Sequence, residues 1–531
     1  MARATSASRS RAWKNPKSSR CSSRSTRRSA NSTPDPGPVW SPRASAAIRL
    51  AGCLASGLSF SASLPPLDLA PLGWVALVPF LLVTAGTGAV RGLWLGALFG
   101  VFAALPQGAW LPEVAREAFG ATALGGIGLW LAASLAFVPA FVLLGAVIGV
   151  QRPERARFPF VVALGWGLVE LSHLELFPRI PWGALGASQI DTPVAPVAAW
   201  IGVHGVSVLV AFVNALGAQL IARAPWRRLA LTAVGGAAVL LLVLFVEARL
   251  REVPGRSLRV VAVQPAVPMQ TVPGAPDAGV RLEVLLEATR GAAGADLVVW
   301  PESSLDASLL GRPDLARRIQ ARVDSLGAPL LFGGFEIARN RRFNQAVFVA
   351  PGVAPRVVYE KRRPLILAEA VPGWFPAGAR RALGRLVPPL RQLPGRERQV
   401  DLKELGAPEL SICYEAILSD FARNPSAGFL LNLVNDGWYD RTPAARTHLL
   451  LARWRAIEAG APLLRVASTG ITARVDPRGR LVSTIPVGEP GVLVERLPLS
   501  TRVTPFERLG YLPLYLAVLG LIAGLLRRRR S

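Results

Sequence analysis

Glu409-Leu-Ser-Ile-Cys413-Tyr-Glu415 decides how this chain is read. It is a short β-rich run that ends on a thiol, with a carboxylate two residues further on. Alone, such a cysteine is more often a small core residue than a nucleophile. Two other strand ends change that reading. Val298-Val-Trp-Pro-Glu302-Ser-Ser places a carboxylate directly after a buried run and a proline, at a sheet edge. Tyr359-Glu-Lys361 places an ammonium at the end of another short run. Taken together, the three fit one chemistry. A thiol becomes a stronger nucleophile when a base stands beside it. Glu302 can take the thiol proton, and Lys361 can hold the oxyanion that forms when Cys413 attacks a carbonyl.

The surrounding segment, residues 256–499, is long enough for one well-buried α/β domain. β-rich runs recur at Leu258–Gln264, Asp296–Trp300, Pro329–Gly334, Gln345–Val349, Arg356–Tyr359, Phe429–Val434 and Leu463–Ala467. Helical patterns lie between some of them, over Val280–Thr289, Pro313–Leu326 and Ala444–Ala459. Apolar strands alternating with helices indicate sheets covered by helices on at least one face. No G-x-G-x-x-G or Walker-type loop is present, and no G-x-S-x-G elbow, which disfavours a nucleotide cofactor and a serine nucleophile.

Before this domain the character of the chain changes. Of 531 residues 51% are apolar and only 18% charged, with mean hydropathy +0.37, which excludes a soluble globule along the whole length. Long apolar runs suited to spanning hydrocarbon lie at 45–63, 67–86, 90–110, 122–150, 158–176, 193–222 and 228–247, with an eighth at 508–526. With the N-terminus in the cytoplasm, the inside loops hold Arg91, Arg152, Arg155, Arg157, Arg223, Arg227 and Arg228. The outside loops hold only Arg116 and Arg179, as the positive-inside rule requires. The polar domain then lies outside, and the last span returns Arg527–Arg530 to the cytoplasm. Glu170 and His173 fall in or beside a span, where an ionisable group usually faces a cavity or a partner. Either they form a polar wall for a lipid headgroup, or the helix end emerges into water there.

The net charge of +26 is concentrated at the ends. Residues 1–43 carry ten Lys/Arg against Asp35 alone. This segment reads as a disordered basic tail in the cytoplasm, or as a start placed too early, rather than an organelle transit peptide. No aromatic-basic module accompanies the charge, so nucleic-acid binding is the weaker reading. Cys21, Cys53 and Cys413 are too few and too scattered for a disulfide scaffold or zinc site, and His173, His204 and His448 do not cluster in sequence.

The Glu302, Lys361 and Cys413 contexts, in that order, resemble the Glu-Lys-Cys triad of the nitrilase (carbon–nitrogen hydrolase) superfamily. Joined to eight spans, with one of them after the domain, they resemble the apolipoprotein N-acyltransferase family. Asn435-Asp-Gly-Trp438, His448–Glu458, Gly460–Arg465, Thr469–Thr472, Pro65–Trp74 and Pro181-Trp182 are similar to further segments of that family. The resemblance covers about residues 45–525.

It implies a membrane domain over 44–250 with seven transmembrane helices, a nitrilase-like α-β-β-α sandwich over 256–499 and an eighth transmembrane helix over 508–526. It also implies the bacterial inner membrane, with the catalytic domain on the periplasmic side. The implied reaction moves an acyl chain from a phospholipid, through a Cys413 thioester, to the α-amino group of a diacylglyceryl-cysteine lipoprotein, with no metal or organic cofactor. On the same basis the Tyr414 N–H is a second oxyanion donor. Glu369 and Glu415 are supporting acids, Asn344 matches the family's asparagine before the lysine, and Trp438 matches its loop tryptophan. After the lysine, where the family commonly has a Leu-Val-Pro-Phe-Gly-Glu type stretch, this chain reads Arg362-Arg-Pro-Leu-Ile-Leu-Ala-Glu369: the spacing is kept and the Pro-Phe-Gly is not.

Residues 364–398 mix Leu365, Ile366, Leu367, Val371, Trp374 and Phe375 with six arginines, a composition suited to a membrane interface. We read this segment as an arm that dips into the outer leaflet and gates lipid entry, against the alternative of an ordinary basic surface loop. Two other functions keep the same residues: a membrane-tethered amidase acting on a small amide, and an inactive membrane scaffold.

Overall fold

In the computed structural model the described residues are 45–176, 178–250, 255–267, 277–305, 312–338, 341–366, 369–371, 376–383, 394–395 and 402–530. The basic tail and most of the arm, including Trp374 and Phe375, lie outside them.

The first half is helical: α1 (Ala46–Ala62), α2 (Ala70–Gly73), α3 (Val78–Thr84), α4 (Ala89–Gln107), α5 (Leu111–Phe119), α6 (Ala123–Leu135), α7 (Val138–Gly149), α8 (Phe158–Glu175), α9 (Ala198–Ile221) and α10 (Trp226–Arg249). Prolines in the first turn start α2, α3, α5, α7 and α8, where the missing N–H costs no hydrogen bond. Glycines bring α4 and α7 together: a Cβ on Gly92 would lie 2.2 Å from the Gly145 carbonyl oxygen. Such close approach of small residues is how helices pack where lipid supplies no hydrophobic drive.

Eight spans are expected from the sequence. Among the described residues, four stretches are long and apolar enough to cross a membrane: Ala89–Gln107, Ala123–Gly149, Ala195–Ile221 and Leu229–Arg249. Ala46–Ala62, Ala70–Thr84 and Leu512–Gly524 are apolar but shorter. The second expected run is divided between α2 and α3, and α8 carries Glu170, His173 and Glu175.

The second half contains β1 (Ser257–Gln264), α11 (Ala278–Ala288), β2 (Leu297–Val299), α12 (Pro313–Leu326), β3 (Leu330–Ala338), β4 (Arg341–Ala350), β5 (Val353–Glu360) and α13 (Ala377–Leu383). It continues with β6 (Pro408–Ile412), β7 (Phe429–Val434), α14 (Pro443–Ala459), β8 (Leu463–Ala467), β9 (Thr472–Val475), β10 (Leu481–Ile485) and β11 (Gly491–Pro498). Helices α15 (Pro505–Leu509) and α16 (Leu512–Arg530) follow. One sheet has the order β11-β1-β2-β3-β4-β5 and the other β10-β9-β8-β7-β6. β1, β2 and β3 run parallel, as do β6, β7 and β8.

Alternation along the strands assigns their faces. Leu258, Val260 and Ala262 of β1 join Leu410, Ile412, Leu431 and Leu433 in a core between the two sheets. Val261 and Val263 point the other way, onto Leu282 and Leu285 of α11 and Ile319 and Val323 of α12. The second sheet is covered by α14, which is buried along nearly all its length because its outer face meets the first half of the molecule. Trp454 and Ile457 share a core with Trp166, Leu185 and Val206. Together the layers make an α-β-β-α sandwich with one helical layer pressed onto the apolar helices.

Polar contacts reinforce that junction. Gly202 (φ +68°) breaks α9, and the freed Val203 N–H donates to Glu458 Oε1 of α14 at 2.8 Å. Glu170 is tied inside the helical half. Its Oε1 accepts from Trp166 Nε1 (2.6 Å) and the Leu185 amide (2.8 Å), and its Oε2 lies 2.6 Å from His204 Nδ1. It therefore braces helices internally, where the sequence suggested a headgroup wall or a water-exposed end.

Candidate active site

The three strand ends converge. β2 delivers Glu302, β5 delivers Lys361 and β6 delivers Cys413. Lys361 Nζ lies 2.7 Å from Glu369 Oε1 and 3.6 Å from Glu302 Oε1. Asn344 Nδ2 donates to Glu302 Oε1 at 2.6 Å, and the Asn344 carbonyl accepts from the Lys361 amide at 2.8 Å. One asparagine thus fixes both the carboxyl group and the ammonium. Glu302 Oε2 is buried without a hydrogen-bond partner.

The backbone at the site is strained. Cys413 has φ +53° and Ser303, next to Glu302, has φ +57°. Each costs roughly 1–3 kcal/mol for a residue with a side chain. Glu415 anchors the cysteine turn. Its Oε2 accepts from Tyr359 Oη and the Ile412 amide (both 2.8 Å), and its Oε1 from the amides of Arg362 (2.7 Å) and Arg363 (2.9 Å). Glu415 therefore joins the turn after Cys413 to the segment after Lys361. Glu369 Oε2 also accepts from the Leu365 amide at 2.7 Å, which shapes the divergent stretch between lysine and glutamate.

Burial governs the titration of the site. Burial lifts Glu302 to about 7, against the opposing pull of Lys361. Burial, with the Glu302 charge, pushes the Cys413 thiol well above its ordinary value, although Lys361 opposes it. Burial disfavours the Lys361 ammonium, but Glu369, Glu302 and Cys413 outweigh it and hold the lysine above its ordinary range. Burial thus favours the protonated forms of the thiol and the Glu302 carboxyl, while the neighbouring acidic groups favour the ammonium.

Behind the cysteine lies a network the sequence did not disclose. His448 Nδ1 is 2.9 Å from Asp436 Oδ1, and His448 Nε2 is 3.2 Å from the Cys413 carbonyl oxygen. Arg465 donates to Asp436 Oδ2 (2.5 Å) and Asn432 Oδ1 (3.0 Å), and Asn432 Nδ2 bonds Ser411 Oγ at 2.9 Å. Burial opposes the Asp436 charge, but Arg465 and His448 hold its carboxyl below the usual range. Ligand-type atoms of Cys413, Asp436 and His448 lie within 4.8 Å of one another. The Arg465 guanidinium already stands beside Asp436 as the counter-cation, so the trio reads as an ion-pair network rather than a metal centre. The available signal was Arg465 itself, a charge inside the apolar run Leu463–Ala467.

A cavity of about 260 Å³ opens on Cys413, Glu302 and Glu369. Tyr414 and Trp438 line it, and Trp438 packs edge-on against Phe119 with centroids 5.3 Å apart. The Tyr414 hydroxyl donates to the Arg179 carbonyl oxygen, tying the cysteine turn to the loop after α8. The cavity continues between α1, α4, α6, α7 and α8, past Phe60, Ala103, Phe137 and His173. Of the expected site residues, Glu302, Glu369, Cys413, Tyr414 and Trp438 line this cavity, and Lys361 stands directly beside Glu302 and Glu369, while Asn344 and Glu415 hold the surrounding segments.

Residues 56–216 match the model of the apolipoprotein N-acyltransferase N-terminal domain, and residues 259–504 match that of the carbon–nitrogen hydrolases. The chain belongs to the apolipoprotein N-acyltransferase family. An apolipoprotein N-acyltransferase of Bradyrhizobium diazoefficiens is 28% identical over 520 residues, covering 88% of this chain and 92% of that relative. One from Methylococcus capsulatus is 29% identical over 497 residues, covering 88% and 94%. A CN-hydrolase superfamily protein of Xanthomonas campestris of solved structure is 20% identical with TM-score 0.36, covering 46% of this chain and 91% of that one.

Proposed function

We propose that this protein is an apolipoprotein N-acyltransferase working by two half-reactions on Cys413. In the first, Glu302 takes the thiol proton as sulfur attacks an ester carbonyl of a phospholipid. The S–C bond forms, Lys361 and the Tyr414 N–H hold the oxyanion, and the C–O bond breaks. The lysophospholipid alcohol leaves with the proton from Glu302. In the second, the α-amino group of a diacylglyceryl-cysteine lipoprotein attacks the thioester. The N–C bond forms, the S–C bond breaks, and the amine proton returns by way of Glu302 to the thiol. A single nucleophile serving both steps gives ping-pong kinetics.

The observation that carries this reading is the cavity shared by Cys413 and the apolar helices. An enzyme acting on small amides in water has no use for an apolar channel between membrane-type helices. The reading includes eight spans, with the four weaker runs crossing as members of the bundle, and a sandwich domain facing the periplasm from the bacterial inner membrane. The loop-charge asymmetry supports that orientation.

Incubation with phospholipid radiolabelled in its acyl chains tests it. Label is expected on the wild-type protein in hydroxylamine-sensitive linkage, absent from Cys413→Ala, and chased onto a diacylglyceryl lipopeptide. Release as free fatty acid without transfer would indicate a hydrolase, and no labelling would indicate a scaffold.

A further inference from the structure

The cavity is apolar along most of its length, and several of its polar atoms are already engaged. Gln107 Nε2 bonds the Ser61 carbonyl, Trp110 Nε1 the Gln107 carbonyl and His173 Nε2 the Phe137 carbonyl. Among the described residues that line it, two side chains present a buried polar atom without a hydrogen-bond partner: Glu302 Oε2 and Ser134 Oγ. The first belongs to the chemistry. The second stands among the helices, on α6, in a residue only 4% exposed.

The space in front of Ser134 is made by a glycine. A Cβ on Gly108 would lie 2.9 Å from Ser134 Oγ and 3.1 Å from the Trp130 ring. A buried hydroxyl without a partner is a net cost to the fold, so this one is best explained by a ligand atom. The surroundings limit which atom. Ala104, Ala133, Phe137 and Phe141 line the same cavity. Among the described residues, no lysine or arginine lines it to balance a phosphate. A neutral acceptor is required, of the kind a lipid carries inside hydrocarbon.

We propose that Ser134, in the cleft left open by Gly108, is a binding subsite for the carbonyl of a fatty ester that does not react. The subsite rests on the acyl-transfer reading above. The ester under attack must lie at Cys413, so the carbonyl at Ser134 is another one. It belongs either to the second chain of the phospholipid donor or to the diacylglyceryl group of the acceptor. Both present the same group to the hydroxyl, and binding energy from such a remote group positions the reacting one.

The two half-reactions separate the sources. With the full-length protein in detergent, thioester formation is measured with a diester phospholipid and with one whose non-transferred chain is ether-linked. Transfer from preformed thioester is measured with diacyl and dialkyl lipopeptides. For wild type, replacing the recognised ester by an ether should lower kcat/KM roughly three- to tenfold in one half-reaction, and that half-reaction names the source. Ser134→Ala should show the same loss with the ester and no further loss with the ether. Gly108→Ala, which fills the cleft, should behave likewise. The melting temperature of Ser134→Ala should stay level or rise.

Unchanged kinetics in Ser134→Ala, or losses that add to the ether effect, would overturn the subsite. A lowered melting temperature would also overturn it, by making the hydroxyl a structural group. These results are distinct from failure of the acyl-transfer reading, in which wild type itself would form no thioester.

Discussion

Glu302 and Glu415 are both buried glutamates a few residues from a strand end, and they are held in opposite ways. Glu415 accepts four hydrogen bonds, three of them from backbone amides. Glu302 accepts one from Asn344, with Lys361 at 3.6 Å and its second oxygen without a partner. The saturated carboxylate has no capacity left for a substrate proton, and it holds the strained cysteine turn against the segment after Lys361. The under-satisfied one is destabilised as an anion and can accept a proton with little rearrangement. In the proposed mechanism, satisfaction rather than burial or distance from Cys413 separates the positioning acid from the reactive one.

The largest expected effect tests that division directly. Glu302→Gln should cut the rate of thioester formation by roughly 10²–10⁴ while the melting temperature holds or rises, because an uncomfortable buried carboxyl is removed. Glu415→Gln should do the reverse. It turns an amide N–H₂ toward groups that all donate, and should cost about 3 kcal/mol of stability, read by denaturant or thermal unfolding. Material that remains folded should keep the wild-type acidic limb in its pH profile. Equal stability losses in the two variants would erase the contrast.

A smaller effect is the pH profile of acylation itself. As the proposed base, Glu302 must be ionised to accept the proton, and burial lifts it to about 7. Thioester formation should therefore rise as pH increases through about 7 and fall away below it. Lys361 is held above its ordinary range, so its charge persists across this window and gives no alkaline limb of its own. A flat profile from pH 5 to 9 would remove Glu302 as the base.

Much of the catalytic half was legible because its strands are apolar runs closed by polar residues. β2, β5 and β6 were marked by their own composition, and so were the residues that end them. β9, β10 and β11 escaped because they are short or alternate with charges, as in Val492-Leu-Val-Glu-Arg. The Asp436–His448–Arg465 network escaped for another reason. Its members come from a loop, a helix buried along nearly all its length and a strand, and no local spacing relates them. Glu415 could be marked as an acid near the thiol, but its donors at 362 and 363 are fixed only when β5 and β6 fold together. In the apolar half, composition located the helices but not where they break: eight runs read as spans, while among the described residues four stretches are long and apolar enough to cross, and the second run is divided between α2 and α3.

The finest probe of the comparison is Asn344. Its amide supplies the one conventional hydrogen bond that steadies the Glu302 anion, at 2.6 Å, and this contact lowers the carboxyl's proton affinity. Asn344→Ala removes the donor while the backbone carbonyl that accepts from Lys361 remains. Glu302 should then hold its proton to higher pH. Thioester formation should fall roughly three- to tenfold at pH 6.5, in keeping with loss of a hydrogen bond to a charged group screened in part by Lys361. At pH 9, with the carboxyl ionised in both proteins, the rates should converge. Asn344→Asp separates charge from contact. A second carboxylate against Glu302 should move the limb further upward than Ala does, because like charges so close cannot both ionise freely. A loss in Asn344→Ala that is the same at every pH would mean that the asparagine only supports the lysine strand. Glu302 would then owe its reactivity to burial and Lys361 alone.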